Sequence, residues 1–319
     1  MEAKILAYLK ENKHNFVSGE EICRKLKVSR TAVWKHIRNL KENGYEVLAQ
    51  PHFGYRLVKV PDRMLADEIT YKLSTKSFGK KVIAYKSTSS TNARAYTLAE
   101  QSAVEGTLVI SEEQTQGKGR LGRRWNSPKG KGIYASLILR PKITPAEAGK
   151  LTLMSSVSVA KTIRRFTGAE ALIKWPNDVL INDDKVCGIL TEMSAEQDMV
   201  KFIILGIGVN VNTDKDELPK GATSLKLKLK KQVSRLDFLK NLLHELELQY
   251  IKIKNRGFGV IVDEWRSFSL SLGRRVKVKW RGVLIEGQAM DVDDNGALII
   301  RDDFGFSHHI LSGDVRIIR

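Results

Sequence analysis

The sequence predicts a multidomain α+β protein: an N-terminal winged helix-turn-helix, a central mixed sheet with helices, and a small C-terminal β-barrel of SH3-like type. Three observations predict this. Two short capped helix patterns and a hairpin pattern fill the first sixty residues or so, strand and helix patterns then alternate to about Ser269, and from Leu270 onward only short strands are written. A chain of 319 residues is long enough for several domains and a substantial core.

In the first segment, a helix pattern over Ala3 to Glu11 precedes the pair. Ser18 with Glu21 forms a capping box opening a helix through Leu26, and Ser29 caps a second helix that Gly44 stops. Only Lys27-Val28 joins them, which makes a helix-turn-helix, and Tyr45 to Val58 reads as a wing turning near Pro51 to Gly54. On the second helix Val33, Ile37 and Leu40 share one face, while Thr31, Trp34, Lys35 and Arg38 point elsewhere and suit a DNA groove. The alternative is plain helical packing, with Trp34 in a core and the basic residues as surface. Charge favours DNA, because residues 1–63 hold 13 Lys and Arg against 7 Asp and Glu.

A linker at Pro61-Asp62 leads to residues 64–269. Strands are predicted at Val82 to Tyr85, Thr107 to Ile110, Ile133 to Leu139, Ala171 to Trp175, Val186 to Met193 and Phe202 to Val211, with helices near Asn92 to Glu100, Ala146 to Phe166 and Leu236 to Lys254. Hairpin-like joins such as Asn182 to Lys185 imply a mixed sheet rather than a doubly wound parallel one. Residues 270–319 carry five short strand patterns with a turn at Asp294-Asn295-Gly296, which suggests the small barrel. Its first strand bears Arg274, Arg275, Lys277, Lys279 and Arg281, either a docking face or an edge strand protected by charge.

A net charge of +18 points to an anionic partner. Only Cys23 and Cys187 are present and no signal peptide is read, so a cytoplasmic protein without disulfides is expected. No apolar run approaches membrane-spanning length. The histidines lack metal-ligand spacing, which argues against zinc.

The stretch from Gly117 to Arg123, GKGRLGR, has three glycines and, with Arg124, four cations. Glycines let backbone N–H groups approach a ligand, and Lys118, Arg120, Arg123 and Arg124 neutralise negative charge, which suits a phosphate-bearing ligand. Gly117, Gly119 and Gly122 match dinucleotide-fingerprint spacing, but Asn126 to Gly130 are turn residues and a strand follows, so no helix opens inside the motif. It reads as a loop between strands.

Further strings follow in a definite order: Ser90-Thr91-Asn92, Gln114, Lys174-Trp175-Pro176-Asn177-Asp178 and Lys185 to Leu190. With them the chain resembles the bacterial biotin–protein ligases, and the segment ahead resembles their bifunctional members, which also repress the biotin biosynthetic operon. The resemblance spans essentially the whole chain. It implies that biotin and ATP form biotinyl-5′-adenylate, that a lysine of a biotin carboxyl carrier protein then accepts the biotinyl group, and that the adenylate promotes dimerisation on operator DNA. ATP, biotin and Mg²⁺ are the implied ligands.

The resemblance assigns Arg120 and Lys185 to catalysis. Biotin is expected against Ser90, Thr91, Asn92, Gln114, Lys118, Gly119, Arg120 and Lys185, with the strand of Ser136 in support. Lys118, Arg120, Arg123, Asn177 and Asp178 are expected at the nucleotide phosphates, Asp178 also as a ligand of Mg²⁺. Ser90 or Thr91 equally suits a helix cap, and Asp178 and Lys174 equally suit structural positions. Lys215 to Ser224 matches the family's adenylate-binding loop in position. Two departures stand out. Lys118 replaces a common Arg, losing the bidentate fork, and Leu121 replaces an Arg tied to dimer contacts in some repressors. Two rival readings are a lipoate-type protein ligase and a ligand-responsive repressor without ligase activity.

Overall fold

A computed structural model describes residues 1–318; Arg319, the last residue of the segment assigned to the barrel, lies outside the described residues. The chain divides into two compact units, the first Met1–Arg63 and the second beginning at Met64.

The first unit comprises α1 (Glu2–Glu11), α2 (Gly19–Leu26), α3 (Arg30–Glu42), β1 (Glu46–Gln50) and β2 (Gly54–Lys59). Ser18 Oγ accepts from Glu21 N at 3.0 Å and Ser29 Oγ from Ala32 N at 3.2 Å, each satisfying a donor that the helix start leaves open. The capping box at Ser18 is half made, since the Glu21 carboxylate instead accepts from the Tyr8 hydroxyl. Lys27 turns the chain in the left-handed region and Gly44 does so after α3. Val33, Ile37 and Leu40 are buried with Ile5, Leu9, Ile22 and Leu57, each apolar side chain contributing on the order of 2 kcal/mol.

The second unit begins with α4 (Ala66–Thr70), β3 (Val82–Tyr85), α5 (Thr91–Glu100), β4 (Leu108–Ser111) and β5 (Ile133–Leu139). It continues with α6 (Ala148–Thr167), β6 (Ala171–Lys174), β7 (Asp178–Ile181), β8 (Asp184–Glu196) and β9 (Met199–Val209), then α7 (Leu225–Leu229), α8 (Arg235–Arg256) and α9 (Gly259–Phe268). The seven-stranded sheet runs β3-β4-β5-β9-β8-β7-β6, with β3 and β4 parallel and every other pair antiparallel. Strand β7 and helices α4, α7 and α9 were not predicted. The β7–β8 hairpin turns through Asn182 and Asp183, both at positive φ, the geometry of a two-residue type I′ turn.

One face of this sheet packs on α6, α8 and α9 through Leu153, Val157, Ile189, Leu205, Leu242 and Trp265. On the other face α5 lays Ala95 and Ala99 against Val109, Ile138, Phe202 and Ile204. That helix covers only part of the face, and the remainder holds the site.

The C-terminal strands are β10 (Arg275–Trp280), β11 (Val283–Val292), β12 (Leu298–Arg301), β13 (Ser307–Ile310) and β14 (Arg316–Ile317), in the order β13-β12-β11-β10-β14. Closure into the expected SH3-like barrel is not seen. Among the described residues β13 and β14 stay at opposite edges, and the sheet does not close. Its apolar side chains Val276, Val278, Ala289, Leu298 and Ile300 instead join the main core of the second unit, so burial does not depend on closure. Trp175 N donates to Ser271 Oγ and Trp175 Nε1 to Gly296 O, both at 3.1 Å, tying the two sheets together.

Candidate active site and nucleic-acid face

The exposed half of the central sheet is hollow because of three glycines. Along β9 the side chains on this face run Phe202, Ile204, Gly206, Gly208, and Gly208 lies opposite Gly188 of β8. A Cβ at Gly206 would stand 2.1 Å from Asn92 Oδ1, and one at Gly208 would stand 2.5 Å from Trp125 Cε2. The missing side chains let Asn92 and the Trp125 indole settle onto the strands. Above the floor opens a cleft lined by both polar and apolar groups.

One wall is a polar chain. Gln114 Oε1 accepts from Thr91 N at 2.8 Å and Thr91 Oγ1 at 3.1 Å, and Gln114 Nε2 donates to Ser127 Oγ at 2.9 Å. Ser136 Oγ on β5 lies 2.8 Å from Thr91 Oγ1 and 2.6 Å from Asn92 Oδ1, while Asn92 Nδ2 donates to Glu192 Oε2 at 2.6 Å. Ser90 caps α5, accepting from Ala93 N, and also lines the cleft, so the cap and pocket readings are both true of it.

The opposite wall is cationic. The 117–125 stretch folds back on itself, Gly119 N donating to Arg123 O at 2.7 Å and Trp125 N to Gly117 O at 2.9 Å, with Leu121 and Gly122 at positive φ at its tip. It is a loop between β4 and β5. Arg120 turns inward, its Nη1 donating to Asn177 Oδ1 at 2.9 Å. Asn177 is itself held, since its Nδ2 donates to Ile189 O and its carbonyl accepts from Ile189 N, both at 3.0 Å. Burial lowers the Arg120 pKa, which Asp178 and Asp314 oppose, leaving a cation poorly solvated and ready for an anionic ligand. Lys185 Nζ stands 2.7 Å from Asp178 Oδ1 and 5.4 Å from the Trp125 ring centre. Asp178 Oδ1 nonetheless has no hydrogen bond, so charge holds this pair at an angle unsuited to one.

Ser90, Thr91, Asn92, Gln114, Lys118, Gly119, Arg120, Asn177 and Lys185 all line this one cleft. Two expected phosphate ligands do not. Arg123 turns away into an ion pair with Asp314, and Asp178 sits behind Lys185. Lys118 is half exposed, 3.8 Å from Glu192. The site also uses residues not predicted: Trp125, Tyr134 and the glycines line it, and Ser127 braces Gln114. Alternating glycines inside the apolar run Leu205 to Val209 were the available signal, because glycine within a strand often marks close approach of a ligand.

In the first unit Thr31, Trp34, Lys35 and Arg38 are exposed together on α3. Trp34 is 56% exposed, which removes the core reading, and Arg38 Cζ lies 5.8 Å from the centre of its ring.

Comparison with known proteins agrees with this arrangement. Residues 84–210 match the biotin/lipoate A/B protein ligase family, 2–56 an HTH domain and 271–317 the biotin protein ligase C-terminal domain. The chain is 40% identical to the bifunctional ligase/repressor BirA of Bacillus subtilis (strain 168) over 95% of its own length and 94% of that protein's. It is 29% identical to the bifunctional ligase/repressor BirA of Escherichia coli (strain K12), covering 94% and 92% of the two chains. Its fold is similar to that of the biotin protein ligase from Aquifex aeolicus in complex with biotin and ATP, with a TM-score of 0.64, 32% identity and coverage of 75% of this chain and 99% of that one. By sequence along nearly its full length, and by a ligase fold joined to a helix-turn-helix, the chain belongs to the bifunctional ligase/repressors of the biotin protein ligase family.

Proposed function

We propose that the chain activates biotin with ATP, transfers the biotinyl group to a lysine of a biotin carboxyl carrier protein, and in its adenylate-bound form represses from operator DNA. The carrying observation is the convergence of Arg120 and Lys185 on the cleft that also holds the Thr91–Gln114 pair. In the first step a biotin carboxylate oxygen attacks the α-phosphorus of ATP, and the bond to the bridging oxygen breaks as pyrophosphate leaves. Two unit negative charges about 4 Å apart repel by about 4 kcal/mol at an effective dielectric near 20. Arg120 and Lys185 cancel that repulsion and stabilise the crowded phosphorus. In the second step the carrier lysine nitrogen attacks the acyl carbon, its proton is lost, and the acyl–oxygen bond breaks to release AMP.

The polar groups at Thr91, Gln114 and Asn92 suit the ureido ring of biotin, and Trp125 offers an aromatic surface beside Lys185. Asn177 fixes Arg120. Lys118 adds charge at the rim rather than a bidentate grip, and Gly119 lets the backbone come close. Asp178 would hold Mg²⁺ only by turning its Oδ1 away from the Lys185 ammonium, 2.7 Å distant. Among the described residues no group of three potential ligands is assembled, so the ion would draw its other ligands from phosphates and water, neutralising phosphate charge.

Dimerisation is supported by β8, which continues to Glu196 although β7 pairs with it only as far as Gly188. The free edge beyond, with Met193 exposed, suits pairing with another strand. On this reading residues 1–63 bind DNA, 64–269 catalyse and 270–319 form a small β domain. No helix of the described residues is long and apolar enough to cross a membrane, and carrier protein and operator would be met in the cytoplasm.

Purified protein with biotin, ATP and a carrier domain is expected to release pyrophosphate and label the carrier. Absence of labelling with pure reagents overturns the reading. Binding to a palindromic operator should tighten with biotin plus ATP and weaken with salt, as phosphate contacts release counterions. Equal affinity with and without the small molecules would remove the regulatory half. Gly208→Ala probes the floor: lifting the indole should weaken biotin or ATP binding about tenfold in calorimetric titration, the cost of overpacking. Unchanged affinity would mean that the seating of Trp125 does not matter.

A further inference from the structure

Most of the chain's excess positive charge lies beyond residue 63, so the first unit does not account for it. No Asp or Glu occurs between Glu68 and Glu100, and Lys72, Lys76, Lys80 and Lys81 crowd the start of that gap. The fold gathers cations around one turn. Lys80 Nζ donates to Leu73 O at 2.8 Å, Lys72 Nζ stands 5.5 Å from the Tyr71 ring centre, and Lys240 Nζ from α8 donates to Tyr71 O at 2.7 Å. Ser74 Oγ lies 3.2 Å from His244 Nδ1, which adds an imidazole. Lys72, Lys76, Lys80 and Lys81 are all exposed.

Elsewhere on this unit lysines meet carboxylates: Lys131 and Lys226 at Asp214, Lys228 at Asp184, Lys252 at Glu264 and Lys277 at Glu286. Here Lys72 is held by a ring face and Lys80 by a backbone carbonyl, which fix position and leave the charge uncompensated. The buried Glu247 carboxylate accepts from Lys76 N and Ser77 N at 2.6 Å and from Phe78 N at 2.9 Å, so it fixes the backbone rather than an ammonium.

We infer that this lysine cluster is a second DNA-contact surface, holding backbone phosphates of the duplex that flanks the segment met by α3. This rests on the DNA-binding reading of the first unit and extends it to the second. Fixed ammonium groups without counter-ions fit a polyanion, and lysine meets phosphate as a point charge with no need of base edges. Arg63 Nη1 donates to Asn43 O at 2.9 Å, which ties residue 63 to the end of α3. The nine residues from there to Lys72 span at most about 30 Å, or roughly nine base pairs, so the chain itself keeps the cluster within reach of bound DNA.

The test uses the full chain with biotin and ATP, titrated onto operator duplex across a range of salt. The double variant Lys72→Gln/Lys76→Gln is expected to flatten the slope of log K against log salt by about 1.8, at about 0.9 per lost phosphate contact, and to weaken binding about thirtyfold at 0.15 M salt. A duplex of unrelated sequence should be weakened equally, because phosphate contacts carry no sequence information. Arginine at both positions should bind near wild type, and adenylation within about twofold of wild type shows that the variant is folded. An unchanged slope overturns the inference. A raised KM for the carrier domain with an unchanged slope also overturns it, and assigns the cluster to an acidic protein face instead. If wild type itself binds no duplex, the DNA reading of the first unit falls and the cluster with it, whereas wild-type binding beside an unaltered variant removes the cluster alone.

Discussion

Arg120→Ala is expected to release biotinyl-adenylate about ten- to a hundredfold faster than wild type, the effect of losing charge-assisted hydrogen bonds worth about 1.5–3 kcal/mol. The escaped mixed anhydride should then acylate lysines at random, so biotin would appear on bystander proteins as well as on the carrier. Two features make the effect large. Arg120 is partly desolvated, so its charge is poorly screened, and it is held by Asn177, so little entropy is lost when a ligand engages it. Filter-retention kinetics of the adenylate and mass spectrometry of a bystander protein check this. Wild-type retention together with carrier-only labelling would show that Arg120 is not the residue that keeps the intermediate.

Lys185→Ala is expected to slow pyrophosphate release about a hundred- to a thousandfold, as when a preorganised electrostatic donor is removed. The loss goes beyond one cation, because Asp178 would be left unpaired 2.7 Å from where the ammonium stood and would add its own repulsion toward an incoming carboxylate. Biotin affinity should fall by less than about threefold, since the Thr91–Gln114 and Asn92–Ser136 contacts are untouched. Lys185→Arg should recover part of the rate by restoring the charge. Pyrophosphate release at the wild-type rate in Lys185→Ala would remove that residue from the reaction.

The parts of the molecule legible in its sequence are those in which neighbours along the chain decide the outcome. The 3.6-residue spacing of Val33, Ile37 and Leu40 forces Trp34, Lys35 and Arg38 outward, and Ser18 and Ser29 start their helices through bonds only three residues long. The ordered strings around Ser90, Gln114, Arg120, Asn177 and Lys185 indicated a shared site, and all five residues line one cleft. What escaped depends on distant partners. Arg123 looked like another phosphate ligand because Asp314, 191 residues further on, cannot be foreseen as its partner. Barrel closure was inferred from strand count alone, whereas the actual sheet shares its apolar residues with the core around Trp175 and ends in a two-residue β14. Helix α9 is short and opens at Gly259, two residues after Gly257, so its buried Ile261, Val262 and Trp265 gave too little periodic signal.

The glycine floor also limits how the substrate range could be altered. Glycine has no side chain left to trim, so a bulkier analogue cannot be accommodated by carving deeper at positions 188, 206 or 208. Room would have to come from the other residues lining the cleft, by shortening Leu190 or Tyr134. Substitution in the other direction gives no graded series either: the smallest possible addition at Gly206 already lands 2.1 Å from Asn92 Oδ1. Selectivity engineered at the floor would therefore come in coarse steps, each displacing Asn92 or Trp125, and selectivity engineered at the rim would be more finely tunable.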